Sequence, residues 1–400
     1  MNQQIKNNLK ETALYIHIPF CEHKCIYCDF YSIITKDNIT IFSQSLKKEI
    51  DYYADRHSSD RLVTSIFFGG GTPSIVPAGI FDQLLKVVRE KFDLDDDLEM
   101  SLEANPGTIQ DKDLSDYRHL GFNRISLGVQ SFHPRELQLL GRIHDNRETI
   151  AAIKGIRSSG FHNLNLDLIY GLPGQSQSDW KETLQRALDL EPEHLSLYCL
   201  TIEEGTPLAE SVKAGDIIPL EEDASADMFD LAMEELANAG YRHYEISNWA
   251  KVKPDGVDYR CQHNLQYWRN EEYYGFGAGA HGYIHNLRVA NNGNIPQFIA
   301  LIKKGSTAGS ARIESRETSP FERMQDEMML RLRLIDEGAS SSGFTSKFGF
   351  DLTEVFGEQI SRLIEKDLLQ WKDGEGSTLV LTKRGILLGN QVFMEFVGSD

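Results

Sequence analysis

Cysteine is scarce in this sequence, with five residues in 400, and an odd number argues against a framework of disulfides. Thiols in such a chain are ligands or plain core residues. Basic residues are also in deficit, 41 Lys and Arg against 60 Asp and Glu, and a net charge of -19 repels phosphate backbones and anionic lipid. Nucleic acid is therefore not expected as a partner. No apolar run approaches the roughly 20 residues that span a bilayer, and Met1 to Thr12 is polar, without the apolar stretch of a cleavable leader. These absences predict a cytoplasmic protein with no transmembrane segment, and leave open a peripheral membrane contact made through a partner. The composition, 40% hydrophobic and 25% charged, is that of a globular chain, and the length favours a large domain with a smaller companion.

Between Leu14 and about Glu203, six β-type runs alternate with helical stretches: LYIHIPF from Leu14, SIFFGG from Ser65, EMSLEANP from Glu99, RISLGVQS from Arg124, NLNLDLIYGLP from Asn163 and HLSLYCLTIE from His194. The helical spacing is clear in Ile39, Phe42, Leu46, Ile50 and Tyr53, and again in Trp180, Leu184 and Leu188 behind a capping-box-like Asp179 and Glu182. Strand and helix in alternation predict an α/β fold with a parallel sheet, curled into a partial (β/α)6 TIM-like barrel. The expected divisions are a polar segment 1–13, the barrel 14–240, an extension 241–305, a linker 306–319, and a small C-terminal helical, winged-helix-like domain 320–400 in which an Asp-Gly turn joins two short strands.

The predicted strands alternate in a second way. Asn163, Asn165 and Asp167 interleave with leucines, Ser101, Glu103 and Asn105 with Met100, Leu102 and Ala104, and Ser126, Gly128 and Gln130 lie on one face. If the apolar face packs under the helices, the polar face points into a lumen, where buried carboxylates and amides need partners. A ligand cavity answers that need; a half-solvated sheet is the other reading.

Cys21, Cys25 and Cys28 have three and two residues between them and follow the first predicted strand. The carboxyl ends of parallel strands are where such folds place their active sites. Three thiolates from one short loop suit three corners of a four-iron four-sulfur (4Fe-4S) cluster and leave one iron without a protein ligand. Cys25 and Cys28 alone also read as a redox pair or half of a zinc site, which His17 and His23 could complete. Cys199 reads as core, and Cys261 is isolated by spacing. FFGGGTPS from Phe67 allows a ligand close backbone approach or simply makes a turn, and it lacks the ending of a nucleotide phosphate loop.

IHIPFCEHKCIYCDFYS resembles the signature of the radical S-adenosylmethionine (SAM) superfamily, in the branch of oxygen-independent coproporphyrinogen III oxidase and the heme chaperones of the HemW type, and the resemblance covers nearly the whole chain. It implies a 4Fe-4S cluster on Cys21, Cys25 and Cys28, with the open iron chelated by the methionine end of SAM and reductive cleavage giving a 5'-deoxyadenosyl radical. It also implies SAM contacts at Tyr15, Tyr27, Gly70, Gly71, Thr72, Glu103, Gln130, Arg142 and Asp167, with Gly70, Gly71 and Thr72 at the amino group. Strand alternation independently turns Glu103, Gln130 and Asp167 inward, whereas Arg142 taken alone reads as a surface arginine.

Two departures separate the chain from the oxidases of this branch: Phe30 stands where they carry a further cysteine, and only about fourteen residues precede the first strand. CQHNLQYW from Cys261 resembles the HNxxYW motif of the chaperones. His263 within it and His281 in GAGAHGY become candidate heme ligands, with Tyr267 and Trp268 able to stack on a macrocycle; a histidine beside two aromatics also reads as a hydrogen-bonded packing residue. The resemblance thus implies a chaperone with heme as cargo, an electron donor for the cluster, and heme-accepting partners such as respiratory cytochromes. The alternative in porphyrin metabolism is the oxidase itself, which decarboxylates coproporphyrinogen III, and radical opening or methylation of the heme ring is a third reading. No catalytic residue is assigned.

Overall fold

The structure, a computed structural model, describes residues 9–35, 37–252, 256–304, 311–374 and 376–397. Six parallel strands stand side by side in chain order: β1 (Lys10–Ile18), β2 (Arg61–Gly70), β3 (Asp93–Ala104), β4 (Arg124–Gln130), β5 (Leu164–Tyr170) and β6 (His194–Cys199). Parallel neighbours need crossovers, and helices supply them: α1 (Ile39–His57), α2 (Ala78–Lys91), α3 (Asp111–His119), α4 (Pro134–Leu139), α5 (Asn146–Ser158) and α6 (Gln177–Asp189). The expected α/β partial barrel is present. The first strand begins at Lys10, so the polar segment expected over 1–13 ends earlier; residues 1–8 lie outside the described residues.

Local sequence sets the helix starts. The Asp145 carboxylate accepts the N–H groups of Arg147 and Glu148 at the head of α5, and Glu148 reaches back to the Asp145 N–H. For α6 the capping pair is Ser176 with Asp179, one turn before the expected Asp179 and Glu182. Along the strands, Leu102, Leu127, Leu166 and Leu197 are buried in the apolar core that the helices share with the sheet. Trp180 of α6 is fully buried there, and its indole N–H donates to the Met228 carbonyl at 2.9 Å.

Beyond β6 come α7 (Pro207–Ala214) and α8 (Glu222–Asn238), then β7 (Tyr241–Glu245) and β8 (Asn248–Lys251), which add antiparallel to the β6 edge. The chain then crosses through α9 (Gln262–Trp268) to the opposite edge, where β9 (Tyr273–Phe276) pairs parallel to β1. Strands β10 (His281–Ile284), β11 (Leu287–Asn291) and β12 (Arg312–Glu317) follow antiparallel, with α10 (Ile295–Lys304) between the last two. Strands drawn from 241–317 therefore supply both edges of one twelve-stranded sheet rather than an appendage to it. Buried Arg61 of β2 secures the β9 side through an ion pair of 2.6 Å with Glu272, whose backbone carbonyl also accepts from Thr12.

The expected linker 306–319 is corrected in part, since Arg312–Glu317 is a strand; residues 306–310 lie outside the described residues. Its sequence RIESRE is almost wholly exposed, and charge on an edge strand, which discourages further pairing, also conceals the strand from a hydrophobic pattern.

The C-terminal unit holds α11 (Pro320–Arg331), α12 (Ser341–Phe348) and α13 (Leu352–Glu365), with β13 (Ala339–Ser340), β14 (Leu369–Trp371) and β15 (Thr378–Leu381) forming a small antiparallel sheet. It has its own core around Met328, Phe344, Phe356 and Leu379. Glu337 fastens it to the α9 segment through Arg260 at 3.0 Å and Arg269 at 2.6 Å. No described helix is long and apolar enough to cross a membrane.

Replacing Trp180 by Ala removes a buried ring and its hydrogen bond to α8, and is expected to cost roughly 3–5 kcal/mol in denaturant unfolding. A loss under about 1 kcal/mol, the size of a typical surface change, would show that the outer helical layer does not depend on this contact.

Candidate functional site

The cysteine loop leaves the top of β1 and is closed at its base by a short parallel pairing of Phe20–Cys21 with Ile33–Ile34. Two backbone hydrogen bonds stitch its entry to the glycine-rich turn after β2: the Gly71 N–H donates to Ile18 and the Thr72 N–H to Phe20, each at 2.8 Å. Glycine is required for that approach. A Cβ on Gly71 would lie 2.6 Å from the Phe20 carbonyl oxygen, and one on Gly70, at φ 114°, 2.4 Å from the His17 ring.

The thiols carry polar company. The Thr72 hydroxyl lies 3.6 Å from Cys21 Sγ and Arg142 Nη1 3.4 Å from Cys25 Sγ, both placed to donate to sulfur. Burial, opposed by hydrogen bonding at the Phe30 backbone, pushes the Cys28 thiol up; a bound cation reverses that balance by favouring thiolate. Nowhere among the described residues do three His, Cys, Asp or Glu side chains gather as a single metal ion requires. Thiols around a four-iron cluster stand instead at its separate corners, and donors to their sulfurs are the usual outer partners of such a group. Three thiols in one loop, two of them with such donors, are a set that would suit a cluster.

Arg142 is no surface arginine, for its guanidinium donates to the Gly128 carbonyl at 2.7 Å and to Asn105 Oδ1 as well as to Cys25. Asn105 in turn donates to Thr72 Oγ1 at 3.0 Å, linking β3, the glycine turn and the cysteine loop. It stands on the polar face of β3, which was the available signal for its role. A small cavity of about 30 Å³ touches Cys25, Thr72, Asn105 and Arg142. Gln130 ends β4 in the left-handed region at φ 68°, a conformation costly for a residue with a Cβ, and its amide nitrogen sits beside Gly128. Tyr27 packs against Leu140, Ile169 and Leu172 behind the loop.

Below lies the lumen, a cavity of about 200 Å³ walled by Tyr15, Phe67, Glu103, Asp167, His263 and Tyr267 among others. The polar strand faces do point inward. Asp167 accepts from Ser126 at 3.1 Å and Asn165 at 2.8 Å, and Asn165 is bonded onward to Ser196 and His194, so the polar network crosses three strands. Glu103 accepts the Gly70 N–H at 2.9 Å; burial, reinforced by the Asp167 charge, pushes its carboxyl up to about 7. Burial raises Asp167 as well, against its hydrogen bonds to Asn165 and Ser126. Arg124 is the cation of this layer, fully buried at the start of β4. Sequence reasoning passed over it, although it shares the parity of Ser126.

The HNxxYW segment is α9, and it closes the lumen from below and to one side. Glu99 accepts the N–H groups of Gln262 and His263 at its head, at 3.1 and 3.2 Å. Both ring nitrogens of His263 are engaged, Nδ1 with Ser65 at 3.0 Å and Nε2 with Tyr267 at 2.8 Å, and the ring stacks on Phe67. Burial and the nearby Arg124 charge hold it neutral, down to about 3. Trp268 lies under the Arg333 guanidinium, toward the C-terminal unit. His281, by contrast, is exposed at the start of β10. It stands near His17, whose Nε2–H donates to the Tyr31 carbonyl while Nδ1 accepts from Tyr15.

A carboxyl raised by folding contributes stability that is present below its unfolded pKa and lost as pH climbs through the folded value, here between the ordinary 4.5 and about 7. Glu103→Gln removes the ionisation and keeps an acceptor for Gly70. Its stability relative to the parent is expected to rise across that window in denaturant titrations of the metal-free protein; a difference independent of pH would contradict the buried-carboxyl account.

Residues 15–187 match the Radical SAM superfamily, and residues 318–388 match the HemN C-terminal domain. The fold matches that of the Escherichia coli coproporphyrinogen III oxidase HemN, described as a radical SAM enzyme, with a TM-score of 0.82 over 98% of this chain and 92% of that one at 23% identity. The heme chaperone HemW of Lactococcus lactis is 36% identical over 392 residues, 98% of each chain. HemW of Bacillus subtilis is 35% identical over 97% of this chain and 99% of its own, and HemW of Escherichia coli 42% identical over 69% and 71%. The chain belongs to the heme chaperone HemW family of the radical SAM superfamily.

Proposed function

We propose that this protein is a cytoplasmic heme chaperone that holds a 4Fe-4S cluster and SAM, carries heme as cargo and passes it to acceptors such as respiratory cytochromes. The observation that carries this reading is similarity along the whole chain to proteins named heme chaperone HemW, joined to a cysteine loop whose sulfurs face Thr72 and Arg142. Cys21, Cys25 and Cys28 would hold the cluster. When bound, the cluster supplies an electron to SAM at its open iron.

The chain's own residues divide the remaining work. The N–H groups of Gly70, Gly71 and Thr72 are all occupied, by Glu103, Ile18 and Phe20, so this turn offers a methionine ammonium its carbonyl oxygens. Arg142, held by Asn105 and Gly128, offers a fixed cation to the carboxylate. Glu103 and Asp167 are the luminal acceptors available to ribose hydroxyls, with Tyr15 beside them. An electron donor would reach the cluster at the loop, where Cys25 and Cys28 are half-exposed.

Cys28→Ala is expected to lose most of the iron and sulfide retained after anaerobic reconstitution, since two thiolates do not hold the cluster; full iron content would refute the ligand assignment. The reconstituted parent is expected to bind heme near one per chain in a spectral titration and to release no carbon dioxide from coproporphyrinogen III. Carbon dioxide release without stable heme binding would assign the protein to the oxidases instead.

A further inference from the structure

A bound heme needs a ligand for its iron and apolar cover for part of its ring. The lumen, at about 200 Å³, is smaller than the roughly 300–1,000 Å³ of pockets that enclose drug-sized ligands. His263 at its floor has both ring nitrogens bonded, so an iron there would have to displace Ser65 or Tyr267. The rings of His17 and His194 are likewise engaged at both nitrogens, His17 by Tyr15 and Tyr31, His194 by Asn165 and Tyr244. Among the described residues, the rings of His23, His162 and His281 make no hydrogen bond.

Of these, His23 lines a cavity. The space, about 400 Å³, lies between the cysteine loop and the segment that joins α4 to α5, with His23, Pro134, Leu137, Gly141, Ile143 and His144 in its wall. Backbone contacts hold that wall together. The Ile26 N–H donates to the Leu140 carbonyl at 3.4 Å, which ties the loop to the end of α4. Gly141 then turns the chain at φ 68°, and a Cβ on it would lie 3.3 Å from Ile26 Cγ2 and 3.7 Å from His23 Nε2, so the imidazole stands over this turn. His144 is buried beside it, with Nε2–H donating to the Val129 carbonyl at 3.2 Å. Leu137 is buried and Ile143 is 63% exposed, which gives the wall an apolar part that reaches the surface. Arg142 belongs to the wall too, its donors already committed to Cys25, Asn105 and Gly128. The small cavity at Cys25 adjoins this one and shares His23, Ile143 and His144 with it.

We propose that heme is carried in this cleft, outside the lumen, with His23 as iron ligand and Leu137 and Ile143 against the macrocycle. Because His23 and Ile143 are exposed, the ring can enter edgewise and leave its propionates in water. The proposal rests on the chaperone reading and adds the site to it. The residue that holds the heme iron then lies between Cys21 and Cys25, so cargo and cluster use one loop without sharing a ligand.

The test is a heme titration of the full, anaerobically reconstituted chain, following the Soret band of the parent, His23→Ala and Ile143→Ser, with iron and sulfide content measured in the same samples. Both substituted side chains are exposed, and Ile143 lies outside the cysteine loop, so its variant probes the cleft without touching the cluster ligands. His23→Ala is expected to weaken heme at least tenfold and shift the Soret maximum, with added imidazole restoring the parental spectrum. Ile143→Ser is expected to weaken heme at least threefold with spectrum and cluster content unchanged. Parental affinity in either variant would overturn the proposal and place heme elsewhere, while leaving the chaperone reading intact. A parent that binds no heme would overturn the chaperone reading itself.

Discussion

Two backbone hydrogen bonds, from Gly71 to Ile18 and from Thr72 to Phe20, are the constraint on which the site depends. They bind the turn after β2 to the chain entering the cysteine loop, and they form because neither Gly70 nor Gly71 places a side chain in the space between. The loop would otherwise be a connection of some twenty residues between β1 and α1. With those bonds made, Cys21 faces the Thr72 hydroxyl, Cys25 faces Arg142, and Asn105 links the two donors across the strand ends. The sulfurs are thus positioned by the sheet.

The second determinant is the polar lining of the strands. Buried carboxylates are tolerated only with partners, and Asp167 has Ser126 on the neighbouring strand and Asn165 on its own, with Asn165 bonded onward to Ser196 on the next, so one network both satisfies the lumen and ties three strands together. Glu103 is tied instead to the glycine turn, which couples the lumen to the loop above it. Side chains of α9 line the floor, and the C-terminal unit holds the α9 segment through Glu337 and its two arginines. A small domain distant from the cysteines thereby shapes the cavity beneath them.

Much of this was legible in the residues. Six strands, their parity and the cysteine spacing are local patterns, and the inward set of Glu103 and Asp167 followed from period-two alternation alone. The edges were not legible. RIESRE has no apolar alternation because it is an exposed edge, and β9 pairs with β1 only after a crossover of the whole barrel, a contact of more than 250 residues' separation that no local pattern encodes. Arg142 looked like a surface residue because its burial depends on the cysteine loop folding over it. That both ring nitrogens of His263 are engaged was not legible either, because Ser65, the partner of one of them, lies nearly 200 residues away.

The account gives all three loop cysteines to the cluster and none to heme. Mössbauer spectra of one anaerobically reconstituted sample, recorded before and after addition of a single equivalent of heme, test this most directly. The predicted result is a 4Fe-4S signal of about four irons per chain that keeps its intensity while a separate heme-iron signal appears. Loss of the cluster signal as heme binds would mean that heme takes the cysteines, and would contradict the account.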